Sequence, residues 1–377
     1  MADMNITAAS RGLTPQIWDS EFFMEYVREN EFAPYFGTTV SALFQIKEDL
    51  TRKHGDTVTF AAVRKLVGAG VVNNQILEGN EEILDQRALA LKVFAFRHAV
   101  AVSEWDEQKS AIDIRNAARE ALKIWMMEKM RNDVITALQS IDGVSFANAT
   151  AAQQNAWLVN NADRTLFGNR RSNASSGVMA TALGTITDTY PVQAGPGVVA
   201  APGGKLSAAT VSLAKRIAKT AHPGVRPMKV KGGKEYFIMF ANSFAFRDLT
   251  SDPVIVQSRS LALPRGENNP IFQDGDVLYD GVIVKEIPEF LTIPGAGSGG
   301  VDVGICTLCG AQALGVAWAQ RAKTRDNVRD YGFMHGVGIQ EIRGIGKLRF
   351  GTDPAGELTL PKDNGVVSVF VSASADT

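Results

Sequence analysis

This chain has few cysteines, almost no net charge and no long apolar run. Two cysteines among 377 residues exclude a disulfide scaffold. Lys and Arg number 39 against 40 Asp and Glu, a formal net charge of -1, which argues against a protein that wraps nucleic acid by neutralising phosphates. Hydrophobic residues make up 45% of the chain, which is enough for a buried core. At about 150 residues per domain, the length predicts two or three domains or one large composite fold.

The sequence lacks a segment typical of a secretory leader or a membrane helix. Its N-terminus has no basic start followed by an apolar stretch. The longest nearly uncharged run, residues 305–319, is shorter than the ~20 residues that a membrane helix needs, and it contains Gln312. We interpret this run as a buried strand followed by a buried helix over 311–321. The expected compartment is the cytoplasm, where the protein is synthesised.

The first half of the chain contains the most regular patterns. Residues 56–67 and 87–103 are rich in β-formers and predict two long strands, joined by the glycine-rich and acidic segment 68–86. Such an antiparallel ribbon is marginal alone in water and should lie on another surface. Apolar residues at helical spacing predict a helix over 109–139, on the order of 40 Å long. Before these elements, residues 1–36 resemble a tether with one short amphipathic helix that begins at Thr14-Pro15.

The second half alternates glycine-rich segments with short elements. Residues 143–206 have the least structured composition, with Ser-, Asn- and Gly-rich stretches. A helix is predicted over 207–221, with Ser207 as its N-cap. Strands are predicted at EYFIMFANS, within 277–292 and at the closing GVVSVFVSAS.

Two short motifs point to chemistry but lack its context. Cys306 and Cys309 form one C-x-x-C, yet a structural zinc site needs a second ligand pair, so we interpret both as buried small residues. Gly295, Gly297 and Gly300 match G-x-G-x-x-G, but a dinucleotide site requires a helix after the glycines and a strand-like run follows here. The sequence therefore predicts no catalytic, cofactor or metal residues.

Opposite charges are grouped in two places. An acidic cluster, which includes Glu78, Glu81 and Glu82 around Asn80, occupies the tip of the ribbon. One basic patch comprises Arg321, Lys323, Arg325 and Arg329, and Arg170-Arg171 is another. Each group considered alone is typical of a solvated face. We favour the hypothesis that the tip contacts a basic patch of a neighbouring subunit, and we predict an inter-subunit interface at Glu78, Asn80, Glu81, Glu82, Arg321, Lys323, Arg325 and Arg329.

Several segments, in their order along the chain, resemble the major capsid proteins of tailed double-stranded DNA phages. The resemblance is to the N-four-like phage family, which has the Hong Kong 97-type capsid fold, and it covers nearly the whole chain. The segments that carry it are TPQIWDSEF, HGDTVTF, LEGNEE, FRHAVAVSEWDEQ, NADRTLFG, NPIFQDGDVLYDGVIVKE, CGAQALGVAWAQ and NGVVSVFVSAS.

The resemblance implies an α+β fold with defined regions. It implies an N-terminal arm (1–36), an extended loop (56–102) over an adjacent subunit, a peripheral domain (37–55, 103–204 and 331–377) with a spine helix (109–140), and an axial domain (205–330). It also implies a non-enzymatic shell subunit without cofactors, present in many copies as hexamers and pentamers in the virion. Its further partners would be a portal, separate scaffolding and decoration proteins, and double-stranded DNA contacted weakly and without sequence specificity. A near-neutral chain agrees with such weak contact.

Two other functions remain open at this stage. The same fold forms the shell of encapsulin-like cellular nanocompartments, and the gene neighbourhood would separate a cargo enzyme from portal and terminase genes. An enzyme with an unrecognised site would require convergent polar residues in a pocket, which no segment indicates.

Overall fold

The computed structural model describes residues 31–48, 55–63, 66, 68, 70–73, 75–82, 86–110, 113–171, 177–191, 203–229, 233–262, 276–351 and 361–375. The predicted short helix of the N-terminal arm, together with residues 1–30, lies outside the described residues.

The described residues combine helices with many short strands. The helices are α1 (Glu104–Lys109), α2 (Ile114–Leu138), α3 (Ala151–Asn160), α4 (Met179–Leu183), α5 (Ala208–Thr220), α6 (Ser243–Ser251) and α7 (Pro253–Ala262). The strands are β1 (Phe36–Gly37), β2 (Phe44–Lys47), β3 (Thr57–Val63), β4 (Gln86–Lys92), β5 (Phe94–Ser103), β6 (Ser140–Ile141), β7 (Val144–Ser145), β8 (Thr165–Phe167), β9 (Arg170–Arg171), β10 (Met228–Lys229), β11 (Glu235–Ala241), β12 (Val277–Tyr279), β13 (Val282–Glu286), β14 (Thr292–Ile293), β15 (Val303–Cys309), β16 (Leu314–Arg329), β17 (Met334–Lys347), β18 (Arg349–Phe350), β19 (Lys362–Asp363) and β20 (Val366–Ser372).

The chain forms two compact units. The large unit comprises the described residues of Phe32–Phe94, Arg131–Gln320 and Arg343–Thr377. The small unit comprises those of Ala95–Met130 and Arg321–Ile342, with Glu31. The predicted division into peripheral and axial domains stays a prediction.

A nine-stranded sheet forms the centre of the large unit. Its main strand order is β12-β13-β11-β15-β20-β8-β9, with β10 and β14 paired at the side. Strands β15 and β20 pair antiparallel, with Ile305 opposite Phe370, and they are buried along their whole length. A strand buried on both faces reads as a nearly continuous apolar run, and the closing segment has this pattern. The prediction of a final strand is confirmed.

Helices cover both faces of this sheet. One face carries Met239 and Val369, which share a core with Val211 and Ala214 of α5. The other face carries Phe240, which shares a second core with α2 residues such as Leu138. Each fully buried Leu, Val or Phe contributes about 1.5–3 kcal/mol, so the two cores hold the sheet between the helices. Helix α5 begins as predicted, because the Ser207 hydroxyl accepts a hydrogen bond from the Thr210 N–H at 3.3 Å.

The small unit pairs a helix with parts of three strands of the five-stranded sheet β1-β2-β16-β17-β5. Strand β17 lies between β16 and β5. Within this unit α2 packs Leu122 and Met126 against Val337 and Ile339 of β17, with Val100 of β5 beside them. The outer half of β16, residues 321–329, is exposed throughout.

The predicted helix over 311–321 is wrong, because this segment turns and then enters the long strand β16. Gln312 adopts a left-handed φ of 59°, which ends the preceding strand at a turn. Leu314 and its successors pair with β2 in parallel and are buried on both faces. A continuous apolar run does not distinguish a doubly buried strand from a buried helix.

The predicted spine helix over 109–140 is shorter than expected. Helix α1 ends at Lys109, where the Ser110 N–H donates to the Asp106 carbonyl at 3.1 Å. Helix α2 then begins at Ile114, and Asp113 caps it by accepting from the Asn116 N–H at 3.1 Å. Its 25 residues span about 38 Å, somewhat less than the ~40 Å expected from the sequence.

The predicted second strand of the ribbon, 87–103, is two strands. Strand β3 pairs antiparallel with β4 from Thr57 opposite Lys92 to Val63 opposite Gln86. The Val93 N–H donates to the Asp56 carbonyl at 2.9 Å, and β5 then joins the sheet of the small unit. The ribbon therefore ends at Lys92, which lies opposite Thr57, the first residue of β3.

The segment 143–206 is more ordered than its composition indicated. Its described residues contribute α3, α4 and β8 to one core, where Trp157, Leu158, Phe167 and Met179 are buried. The most glycine- and serine-rich stretches of the segment lie mainly outside the described residues.

Candidate inter-subunit interfaces

The ribbon packs one of its faces on its own chain. Val58, Phe60 and Leu89 are buried against Ala317 and Leu348. This alternation follows from the period of two along each strand. The expected surface beneath the ribbon is thus supplied within the large unit. A Cβ added to Gly315 would lie 2.9 Å from the Phe60 ring, so glycine is required for this close approach.

The loop beyond the ribbon exposes apolar side chains. Leu66, Val72, Ile76 and Leu77 are each more than half exposed. Monomeric proteins rarely leave such a concentration of large apolar residues in water, and clusters of them mark interaction sites. The loop is therefore suited to contact another protein surface by apolar packing.

The structure places all four predicted tip residues on this loop, and all are exposed. The Glu81 carboxylate accepts from the Gly79 N–H at 2.7 Å, and the Glu82 carboxylate accepts from the Gly68 N–H at 2.6 Å. The Asn80 amide donates to the Ile76 carbonyl at 2.9 Å. Three of the four predicted residues thus also shape the loop, a role that the charge pattern did not predict.

The predicted basic patch lies on the exposed half of β16. Its members share one face of the strand because their numbers are all odd: Arg321, Lys323, Arg325 and Arg329. Asp326 points to the opposite face, where it pairs with Arg119 at 3.0 Å. The strand therefore separates its basic residues from this acidic one. The tip belongs to the large unit and the patch to the small unit.

The two cysteines are buried side chains on opposite faces of β15. Cys306 belongs to one core and Cys309 to the other. Burial raises the pKa of both thiols to about 12, so neither is a thiolate at neutral pH. The two residues pack as small apolar groups, as the sequence predicted.

The glycine motif at 295–300 is a tight turn. Gly295, Gly299 and Gly300 have φ values of 64°, 70° and 82°, which glycine adopts without a Cβ penalty. The Gly295 N–H donates to the Asp302 carboxylate at 2.8 Å. Strand β15 follows this turn, which confirms the predicted strand after the glycines. The glycines therefore do not lead into a helix whose N-terminus could bind a phosphate.

A polar cluster at the end of β20 was not predicted from the sequence. Lys205 lies 3.5 Å from the Asp188 carboxylate and 3.8 Å from the Asp248 carboxylate. Burial raises the pKa of the Asp248 carboxyl above its usual value, against the opposing charges of Lys205 and Arg247. Burial also acts on Asp188, but the hydrogen bond from Ser372 and the charge of Lys205 hold its pKa below the usual range. The members of this polar cluster are far apart in sequence, so no sequence motif indicates it.

None of the helices in the described part of the chain is long and apolar enough to span a membrane. Within the same residues, no group of three or more His, Cys, Asp or Glu side chains is arranged to hold a metal ion.

Comparisons with known proteins agree with this architecture over the whole chain. A sequence profile of the family described as "Phage capsid protein" matches residues 6–375. The major capsid protein of Pseudomonas phage KPP25 is 28% identical over 368 residues, covering 95% of this chain and 94% of that protein.

Solved capsid structures have the same fold. The subunit of the cyanophage Pam1 capsid is 32% identical, with a TM-score of 0.82 over 99% of this chain and 100% of that chain. The capsid subunit of Ralstonia phage GP4 is 21% identical, with a TM-score of 0.73 over 98% of this chain and 99% of that one. These neighbours confirm the predicted Hong Kong 97-type fold, and with the family match they establish that this chain belongs to the phage capsid protein family.

Proposed function

We propose that many copies of this chain, arranged as hexamers and pentamers, close into an icosahedral shell around a double-stranded DNA phage genome. The observation that carries the proposal is the whole-length similarity to the cyanophage Pam1 capsid subunit, at 32% identity and 99% coverage. The role is structural and not catalytic.

The regions of the chain take the roles that the family resemblance implied. Residues 1–36 form the arm, 56–102 the extended loop, and 205–330 the axial domain. The peripheral domain combines 37–55, 103–204 and 331–377. The exposed apolar residues of the loop support its placement on an adjacent subunit, because they would otherwise remain in water.

The inter-subunit interface includes the acidic tip and the basic patch. Glu78, Asn80, Glu81 and Glu82 supply the tip, and Arg321, Lys323, Arg325 and Arg329 supply the patch. Both sets are exposed, so pairing them requires no desolvation of a buried charge. Exposed pairs contribute only ~0–1 kcal/mol each. Repetition over a shell, together with apolar packing of the loop, makes the sum significant.

Assembly takes place in the host cytoplasm, and the finished protein is part of the virion. A portal, a separate scaffolding chain and decoration proteins are its further partners. The net charge of -1 supports a weak, sequence-independent contact with packaged DNA.

Negative-stain electron microscopy of the purified chain, over a range of concentrations and with a scaffolding chain if one is encoded nearby, tests the proposal. We expect polyhedral shells, with capsomers at lower concentration. A uniform small monomer under all of these conditions would contradict the proposed function. Shells that enclose a cargo enzyme in the native host, without DNA, would instead indicate a nanocompartment.

A further inference from the structure

The turn between β16 and β17 presents a tyrosine in an unfavourable backbone conformation. Asp330, Tyr331 and Gly332 have φ values of 53°, 51° and 103°, all in the left-handed region. Glycine and asparagine adopt this region readily, whereas a bulky residue there is an outlier. The Tyr331 side chain is also fully exposed, at 110%. Local folding therefore gains nothing from a tyrosine at this position.

Other large apolar groups lie near this turn. Val328 and Phe333 flank it, with 57% and 45% of their surfaces exposed. The Glu104 N–H donates to the Phe333 carbonyl at 2.8 Å, which places the start of α1 beside the turn. Trp105, the next residue of α1, is 56% exposed. We call Trp105, Val328, Tyr331 and Phe333 the aromatic knob.

The composition of the aromatic knob is typical of a binding surface. Trp and Tyr dominate the energetics of protein interfaces, because a rigid ring buries a large area at low entropic cost. A residue that violates a local conformational preference without a contact inside the fold points to a role outside it. The exposed aromatic rings and the tyrosine in the left-handed conformation thus lie at the same end of the small unit.

Charge complementarity identifies the occupant as a second copy of this chain. On the hairpin side of the aromatic knob lies the exposed cation Arg329. On the helix side lies the acidic first turn of α1, with Glu104 and Asp106 exposed. Each copy thus carries both partners of an ion pair on two chemically different halves of one surface. A net charge of -1 adds little repulsion between copies.

We infer that the aromatic knob is a head-to-tail contact between copies, in which Tyr331 of one copy packs against Trp105 of the next and Arg329 faces the next copy's Glu104. A head-to-tail contact is heterologous, so copies related by a rotation close into a ring. The contact does not involve the loop tip, and Arg329 is the one member of the basic patch that it uses. The inference rests on the proposed function, since it needs copies that assemble.

The Tyr331→Asn substitution separates folding from assembly. Asparagine tolerates the left-handed backbone, so the midpoint of urea unfolding of the unassembled chain should be unchanged or higher. The critical concentration for assembly, measured by light scattering, should rise at least tenfold. Tyr331→Phe keeps the ring and should behave as the wild type. Met127→Ala, which removes another exposed side chain of the same unit, is the matched control and should also assemble normally.

A charge swap tests the orientation of the contact. Glu104→Arg and Arg329→Glu should each raise the critical concentration, and the chain carrying both should recover most of the loss. In the wild type, assembly should shift the Trp105 emission to the blue, read as the difference from a Trp105→Phe chain. Recovery in the double variant supports the pairing of these two residues across copies.

Three outcomes would overturn the inference: assembly of Tyr331→Asn at the wild-type critical concentration, a lowered unfolding midpoint in that variant, or failure of the charge swap to restore assembly. If wild-type chains form shells and Tyr331→Asn forms them equally well, the proposed function stands and this contact does not. If wild-type chains form only small rings, and Tyr331→Asn abolishes them, the contact stands and the proposed shell does not.

Discussion

Lys347 and Asp363 form an ion pair of 3.0 Å in the interior of the large unit, where their side chains are 4% and 3% exposed. The Lys347 ammonium also donates to the Ser140 carbonyl at 2.9 Å, and the Trp157 indole donates to the Asp363 carboxylate at 3.3 Å. The pair therefore joins β17, β19 and α3. Its charges are satisfied by fixed partners, as buried charges must be.

Removal of one member of this pair should be far more costly than removal of both. Lys347→Met leaves Asp363 buried and uncompensated, so we expect a loss of about 3–5 kcal/mol. Lys347→Met combined with Asp363→Leu should recover a large part of that loss. Urea unfolding of the two single variants and the double variant gives the coupling energy. Additive losses in the double variant would contradict a direct, energetically coupled ion pair.

The polar cluster around Asp248 predicts an unusual dependence of stability on pH. A carboxyl whose pKa is raised by folding binds its proton more tightly in the folded state, so its contribution to stability falls as the pH rises through the interval above 3.8. Asp248→Asn should remove this slope. Asp188, whose pKa is lowered, contributes stability that is lost as the pH falls below 3.8. Asp188→Asn is therefore the comparison variant, and the two substitutions should change the slope in opposite directions.

Unfolding midpoints between pH 3 and pH 7 would measure both effects. The charged groups that act on Asp248 are Lys205, Arg247 and Asp188. If both substitutions changed the pH dependence of the unfolding midpoint in the same direction, Asp248 would not lie in a desolvated environment.

The packing of the ribbon on its own chain predicts a stability cost for a change on the buried face of the ribbon. Phe60→Ala empties a buried site against Ala317 and Leu348, and we expect a loss of about 3–5 kcal/mol. Thr59→Ala, on the exposed face one residue earlier, is the matched control and should change stability by about 0.5 kcal/mol or less. Chemical unfolding of the unassembled chain measures both. Equal stability of the Phe60→Ala and Thr59→Ala chains would mean that the ribbon does not pack on the large unit in solution.

The acidic tip predicts a charge-dependent step in assembly. Reversal at Glu78→Lys, Glu81→Lys and Glu82→Lys should raise the critical concentration, because it replaces attraction to the patch with repulsion. The effect should weaken at high salt, where the Debye length falls to about 3 Å at 1 M. Light scattering at several salt concentrations gives the measurement.

A triple Gln variant at the same three positions is the control for loop shape, since an amide oxygen still accepts the bonds from Gly68 and Gly79. It should lose less assembly than the Lys variant. Reversal of Arg321, Lys323 and Arg325 to Glu, which leaves Arg329 in place for its contact with Glu104, should partly restore assembly of the Lys variant. An assembly yield that the triple reversal leaves unchanged would remove the tip from the interface.

Local patterns in the sequence determined those elements whose environment is simple. The helix after Ser207 has one buried face and a capping hydroxyl, so both its start and its helical periodicity could be predicted from the sequence. The closing strand was legible because valines at successive positions fit a strand buried on both faces. The grouping of the basic residues on one face of β16 was not predicted, although their odd numbering would place them together in any strand.

Some sequence patterns fit two different structures, and only the tertiary structure decided between them. The apolar run after Gln312 fits a buried helix as well as a buried strand, and pairing of Leu314–Ala317 with β2 selects the strand. The ribbon was expected to need another surface to lie on, and Gly315 and Leu348, distant in sequence, provide one within the chain. The cluster at Asp248 and the aromatic knob likewise assemble residues that are far apart along the chain. Sequence periodicity reports which face of an element is buried, whereas the identity of the partner across that face depends on contacts that only the folded chain forms.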